Sequence, residues 1–428
     1  MQVSGGSSSS SYPGVGGGGG GGGLTSFYAP GTFPRSTAST VPPIYRVGNG
    51  GRRPQESIQI DVKLRAANSS RDLLRVIADT LQCFDTGNVV VAFTTAAKLD
   101  EGQEMVSLDR HPAWSALQTR LLDCCGELEP RGMSMVAYAA ARLLWGHPPL
   151  LKSLARVGLE RLSSFGATDV AKACWAFAKL RFVEGDVAQQ FWSAAAREAP
   201  RTVRGARFVD ISMMVWAFAV AGVPSHELFA AASKEALSSI SSLPPRSLAS
   251  TLWAFARAKL RNDELFRAVS LRARSSLDDF SAHDASTLCW AFGAAGFRDP
   301  ELLLPLADQL ISSGELRKLS PSLAGELLFG YAATGIFHEG LLLTMKETCI
   351  KGIWELETED VATFAWCFAK LRYQDREQWM ALRSYAERFM GRLRPREREV
   401  VRWAFSEMGL PPLTANSSSA VSFDGRAM

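Results

Sequence analysis

Nine side chains suited to gripping phosphate or reading a base, Lys172, Lys179, Arg246, Ser250, Arg257, Thr287, Thr363, Lys370 and Arg396, fall at three fixed offsets from an aromatic position that keeps returning. They stand seven before, three before or four after it. Ammonium and guanidinium groups neutralise phosphates and hydroxyls hydrogen-bond base edges, so such a set along one surface suits a single-stranded nucleic acid. Other places at the same offsets hold Thr168, Val209, Met213, Val220, His283, Glu326 and Glu359. Variation at these positions, on a scaffold that stays fixed, is what a modular reading surface needs; a solvent-facing position that simply drifts would vary in the same way. Two arginine groups, Arg197, Arg201, Arg204 and Arg207, and Arg392, Arg394, Arg396 and Arg398, add candidate phosphate contacts diluted by Glu198, Glu397 and Glu399.

Catalytic patterns are wanting. The five histidines, 111, 147, 226, 283 and 338, include no pair at helical i, i+4 spacing. No phosphate loop, nucleophile elbow or His-Glu-x-x-His motif occurs, and the glycine tract at 16–23 is a homopolymer. The expectation is a non-catalytic protein without cofactor or metal.

The returning position is the first of a Trp-Ala-Phe-Ala block, at Trp175, Trp216, Trp253, Trp290 and Trp403, with weaker copies beginning at Val91, Val136, Phe329 and Trp366. Successive copies lie 37 to 45 residues apart, a period that marks stacked repeats. Pro245, Pro321 and Pro395 each stand eight residues before the aromatic, the first helical position where a missing N–H costs nothing. Six before it come Asp85, Asp169, Asp210, Asp284, Asp360 and Glu397, which oppose the positive helix end. Gly222, Gly296 and Gly335 close the helix, and a second helix starts near His226, Asp263 and Pro300. The pattern predicts an all-α fold, an α-solenoid of about nine helix-turn-helix repeats of about 37 residues over 54–410. At about 100° per residue the three offsets form a narrow stripe beside the apolar arc, and the tryptophans, set among Ala and Phe, are expected to pack between hairpins.

Segment 1–53, rich in Gly, Ser and Pro, cannot bury enough apolar surface to fold and reads as disordered, as does the tail 411–428. It lacks a secretory apolar region; its freedom from acids is compatible with an organellar presequence. Its four arginines equal the whole net charge of +4, so the repeat body is near neutral and polyanion binding must rest on local clusters. Seven cysteines without a Cys-x-x-Cys pair suggest buried, reduced thiols. The longest apolar runs, such as 211–223, are too short for a membrane span.

Units built on Ser247 to Leu260 (SLASTLWAFARAKL) and Asp360 to Tyr373 (DVATFAWCFAKLRY) resemble the octotricopeptide and heptatricopeptide repeats of organellar RNA factors in algae, dinoflagellates and apicomplexans. They are also similar to the helical repeats of FAST-kinase-like mitochondrial proteins and of a kinetoplastid RNA-editing substrate-binding complex. Asn68 to Leu74 looks like the first helix of such arrays. The resemblance implies binding of single-stranded organellar RNA in transcript processing, stability or translation, in mitochondrion or plastid, beside other RNA-processing proteins. Many relatives carry a C-terminal nuclease-like RAP domain; the few residues after Gly409 are too short for one, so a binding adaptor is expected. The alternative is a protein-binding scaffold, with Val209, Met213 and Val220 as apolar anchors.

Overall fold

The structure, a computed structural model, describes residues 53–99, 108, 111–223, 225–351 and 356–413. The disorder expected for the two ends concerns residues that, apart from Arg53 and 411–413, lie outside these. Nineteen α-helices stand among the described residues. Numbered in chain order, the odd helices form layer A: α1 (Gln55–Ala66), α3 (Thr86–Leu99), α5 (Pro130–Arg142), α7 (Ala167–Lys179), α9 (Phe208–Ala221), α11 (Pro245–Arg257), α13 (Ala282–Ala295), α15 (Pro321–Thr334), α17 (Thr358–Lys370) and α19 (Pro395–Glu407). The even helices form layer B: α2 (Ser70–Thr80), α4 (Pro112–Cys124), α6 (Pro148–Arg161), α8 (Asp186–Thr202), α10 (His226–Ser239), α12 (Asp263–Arg274), α14 (Pro300–Ser312), α16 (Glu339–Lys351) and α18 (Arg376–Phe389). Each A helix packs on the next A helix and each hairpin on its neighbours, the arrangement of a helical solenoid.

Helix starts follow the sequence logic. Pro245, Pro321 and Pro395 open their helices, and the Ser281 hydroxyl accepts the Asp284 N–H while donating to its carboxylate. At the other end, eight A helices close in one motif. Trp145, Phe182, Val223, Leu260, Phe297, Ile336, Tyr373 and Leu410 each donate their N–H to the carbonyl five residues back, across a left-handed residue. That residue is Gly222, Gly296, Gly335 or Gly409 in four helices and Leu144, Arg181, Lys259 or Arg372 in the others.

Two sequence assignments shift. The helix positions of α5 put Tyr138, not Val136, at the place of the repeat tryptophan, and in α3 the place falls to Thr94 instead of Val91. Asp85 accordingly lies before α3, where its carboxylate accepts the Asn88 N–H, and Asn88 holds the third helical position. A tenth A helix, α1, carries no aromatic signature and packs on α3. There the joint is polar: the Arg53 guanidinium, 2% exposed, binds Asp61 at 2.7 Å and Asp85 at 2.7 Å, while the Asn88 amide donates to the Ser57 carbonyl and to Asp61.

Elsewhere the joint is aromatic. Tyr138, Trp175, Trp216, Trp253, Trp290, Phe329 and Trp366 form a continuous ladder with ring centroids 5.0 to 6.3 Å apart. Small residues between the rings let the A helices approach more closely than the B helices do, which makes A the inner face. The approach is tightest at α13 and α15: a Cβ on Gly330 would lie 2.8 Å from Cys289 Cβ and closer still to its carbonyl. Gly330→Ala is therefore expected to cost about 1 to 3 kcal/mol or more, read as a lowered urea midpoint, whereas other copies carry Ala at this place without strain. A midpoint equal to the parent would show that the two helices are not in contact there.

Six cysteines are buried; Cys83 is exposed, a departure from the expectation of seven buried thiols. Among the described residues no helix is long and apolar enough to cross a membrane.

Candidate nucleic-acid interface

The stripe offsets meet three different environments. Four residues after the aromatic, at the last turn of each A helix, Lys98, Arg142, Arg257 and Lys370 are exposed and Lys179 is half-buried. Lys179, Arg257 and Arg142 have no ion-pair partner among the described residues. Burial without a counter-charge pulls the Lys179 pKa below its ordinary value, a cost that a bound phosphate would relieve. The Lys370 ammonium sits 5.9 Å from the Trp366 ring centroid and 5.5 Å from that of Trp403, a cation held between two indole faces.

Three residues before the aromatic, the helix is turned into the A–A joint. Ser250 is 1% and Thr287 is 2% exposed, so neither offers its hydroxyl to a base. Thr287 donates back to the His283 carbonyl at 3.1 Å and Thr363, half-buried, to the Glu359 carbonyl at 2.8 Å, the usual resort of hydroxyls inside helices. Lys172 is half-buried; desolvation lowers its pKa, Asp169 and Asp210 oppose that, and its ammonium lies 5.9 Å from the Tyr138 ring. Glu326 occupies the same place in α15, 4% exposed, with its Oε1 lacking a hydrogen-bond partner among the described residues. Burial and then the facing Asp360 push it up to about 8, and Asp360, itself desolvated, is pushed up to about 6.

Seven residues before the aromatic, at the helix starts, charge is cancelled by the row of third-position acids. Ser134 donates to Asp169 across the α5–α7 joint, and Thr168 and Arg207 both bond Asp210. Arg394 pairs with Glu359 at 3.4 Å, and its N–H is accepted by Glu397. Arg246, half-buried, has its pKa lowered by desolvation against the pull of Asp284; the same desolvation, with Arg246 nearby, lowers His283. Arg396 is exposed at the second position of α19. Of the other arginines, Arg197 and Arg201 lie within α8, Arg201 paired with Glu198 at 2.6 Å, and Arg392 covers the Phe389 ring at 5.0 Å. The proposed apolar anchor is recessed, Met213 being buried and Val209 and Val220 half-buried.

The fold thus brings Lys179, Arg257 and Lys370 to corresponding places on the last turns of α7, α11 and α17, and draws Ser250 and Thr287 away. It adds Lys98, Arg131 and Arg142, which a register set on Val91 and Val136 passes over. Pro130, eight residues before Tyr138, is the signal for the α5 register.

An all-α solenoid with an aromatic ladder along its layer A joints, bordered by cations at the helix ends, defines the class as a helical-repeat protein. The chain belongs to the family described as RNA-editing substrate-binding complex 6 protein, whose family model matches residues 84–378, from just before α3 into α18. No curated protein gives a significant match.

Proposed function

We propose that the protein is a non-catalytic subunit of an RNA-editing substrate-binding complex in mitochondria, and that it holds single-stranded RNA along the inner face of its solenoid. Membership of the family implies the complex and the compartment. The observation that supports direct RNA contact is the row Lys98, Arg142, Lys179, Arg257 and Lys370, repeated on the last turns of five A helices beside the ring ladder. Cations track the phosphates; Lys172, Arg246 and Arg396 add charge at the helix starts, and Thr363 is the stripe hydroxyl best placed to reach a base. The octotricopeptide and heptatricopeptide likeness supports the same mode of binding, with a short segment of RNA laid across successive units.

The test is fluorescence anisotropy of the full chain with a labelled single-stranded RNA across a salt series. Arg246→Ala combined with Arg257→Ala should weaken binding and flatten the plot of log K against log salt by about 1.4, at roughly 0.7 per phosphate contact on a single strand. An unchanged slope would defeat the assignment of these two residues.

A second surface supports protein partners. Leu304, Leu343 and Met380 are exposed and stand at the fifth residue of the consecutive B helices α14, α16 and α18. This apolar row lies on layer B, so the scaffold reading and the RNA reading use different sides of the same array.

A further inference from the structure

The eight shared helix ends contain an anomaly that goes beyond the basic row. Left-handed backbone is sterically easy only for glycine, and four units use glycine there. Arg181, Lys259 and Arg372 adopt it with φ of 55°, 58° and 52°. All three are exposed, and each follows by two residues a cation of the basic row, giving the pairs Lys179 with Arg181, Arg257 with Lys259, and Lys370 with Arg372. The units between them are uncharged at both places: Val220 with Gly222, Ala294 with Gly296, Ala333 with Gly335. Where the strained residue is basic, so is its partner; where it is glycine, the partner is not basic in any of the four units, Glu407 with Gly409 included. Leu144 is the fourth strained residue, and there Arg142 supplies the only charge. A helix end can place a basic residue in its last turn at no steric cost, so favourable interaction with the helix dipole accounts for Lys179, Arg257 and Lys370. It does not account for a second cation in a conformation that glycine would adopt more easily.

The opposite edge of layer A carries the acid row, and there the carboxylates of Asp210, Asp284 and Glu359 offset Arg207, Arg246 and Arg394. Cations at the helix starts thus share that edge with carboxylates, whereas Lys179 and Arg257 at the helix ends have no ion-pair partner among the described residues.

We propose that the three pairs are phosphate clamps, and that the sugar-phosphate backbone of a bound single-stranded RNA runs along the C-terminal edge of layer A, with its bases turned toward the ring ladder. Neighbouring packed helices lie about 9 Å apart, so the clamps recur at roughly 20 Å and 30 Å. The strand is gripped intermittently, and the nucleotides over α9, α13 and α15 are left without a charged contact at this edge. The inference rests on the RNA-binding reading above and assigns it a side and a polarity.

The test uses the triple variant Arg181→Gly, Lys259→Gly and Arg372→Gly in the full chain. Because glycine suits the left-handed backbone, the variant should fold with a thermal midpoint equal to or above the parent. Its affinity for a labelled single-stranded RNA should fall by about tenfold or more, and its salt slope by about 2. A matched loss of charge on layer B, Lys152→Ala, Arg156→Ala and Lys234→Ala, should leave both near the parent values. A glycine variant that binds with the parent's affinity and slope would overturn the clamps while leaving the RNA reading intact. A parent chain that fails to bind any single-stranded RNA would remove the reading and the clamps together.

Discussion

Trp253→Ala should lower the stability of the array by roughly 3 to 5 kcal/mol, the range for deleting a large aromatic from a packed core. The indole is 4% exposed, and its ring centroid lies 6.3 Å from that of Trp216 and 5.6 Å from that of Trp290. Removing it opens two joints at once, α9 to α11 and α11 to α13, and in a solenoid each unit has no other partner on which to bury its apolar face. The surrounding Ala254 and Ala256 are too small to fill the gap. Trp253→Phe should recover much of the loss, since Phe329 occupies the same rung between Trp290 and Trp366 at 6.2 and 5.4 Å. Urea unfolding of the full chain, followed by circular dichroism, gives the comparison. A midpoint for the alanine variant equal to the parent would mean that the ladder is surface ornament, free to stack on bases instead of on itself.

The array was legible because its strongest signals are local. Pro at the first helical position, a carboxylate at the third and Gly after the last all act within a single helix, and their spacing from Trp175, Trp216 and Trp253 gave helix starts that the structure reproduces. The register failed at α3 and α5, where Thr94 and Tyr138 take the place of the repeat tryptophan and no Trp-Ala-Phe-Ala block marks it. There the apolar pattern alone, Val91 and Val136 in runs of small residues, fixes a helix but not its phase.

The candidate site was legible only in part, for a geometric reason. A helix wheel separates an apolar arc from its complement but does not say that A helices touch on both flanks. Each interior A helix is covered by two A neighbours and by its own layer B, so the three-before position, outside the arc on paper, becomes the joint that buries Ser250, Thr287 and Glu326. What survives at the surface is the helix ends, and there sequence reading found Lys179, Arg257 and Lys370. Arg181, Lys259 and Arg372 were in plain view, but their interest lies in a backbone conformation that residue types do not announce.

Glu326→Gln should flatten the pH dependence of stability, and the sign follows from burial. The carboxyl is pushed from 4.5 up to about 8 in the folded chain because its charged form is desolvated and faces Asp360. Asp360 is pushed from 3.8 up to about 6 by its own burial and by the charge of Glu359, against a backbone hydrogen bond from Glu357 that lowers it. Both folded values exceed the unfolded ones, so the folded state holds the protons more tightly. The contribution is complete at low pH, below the unfolded values, and is lost as pH rises through about 6 for Asp360 and about 8 for Glu326. For Glu326 alone the loss between pH 4 and pH 8 is roughly 4 kcal/mol, since each tenfold difference in proton affinity between the folded and unfolded chain is worth about 1.4 kcal/mol, and it is reduced by whatever water reaches the α15 to α17 joint. Glutamine keeps the shape without the charge, so the variant should overtake the parent as pH approaches 8 and leave only the shallower fall from Asp360. Urea midpoints at half-unit steps from pH 5 to pH 8.5 decide it: if the two curves run parallel, Glu326 is either ionised at little cost or reached by solvent, and the joint is looser than its burial implies.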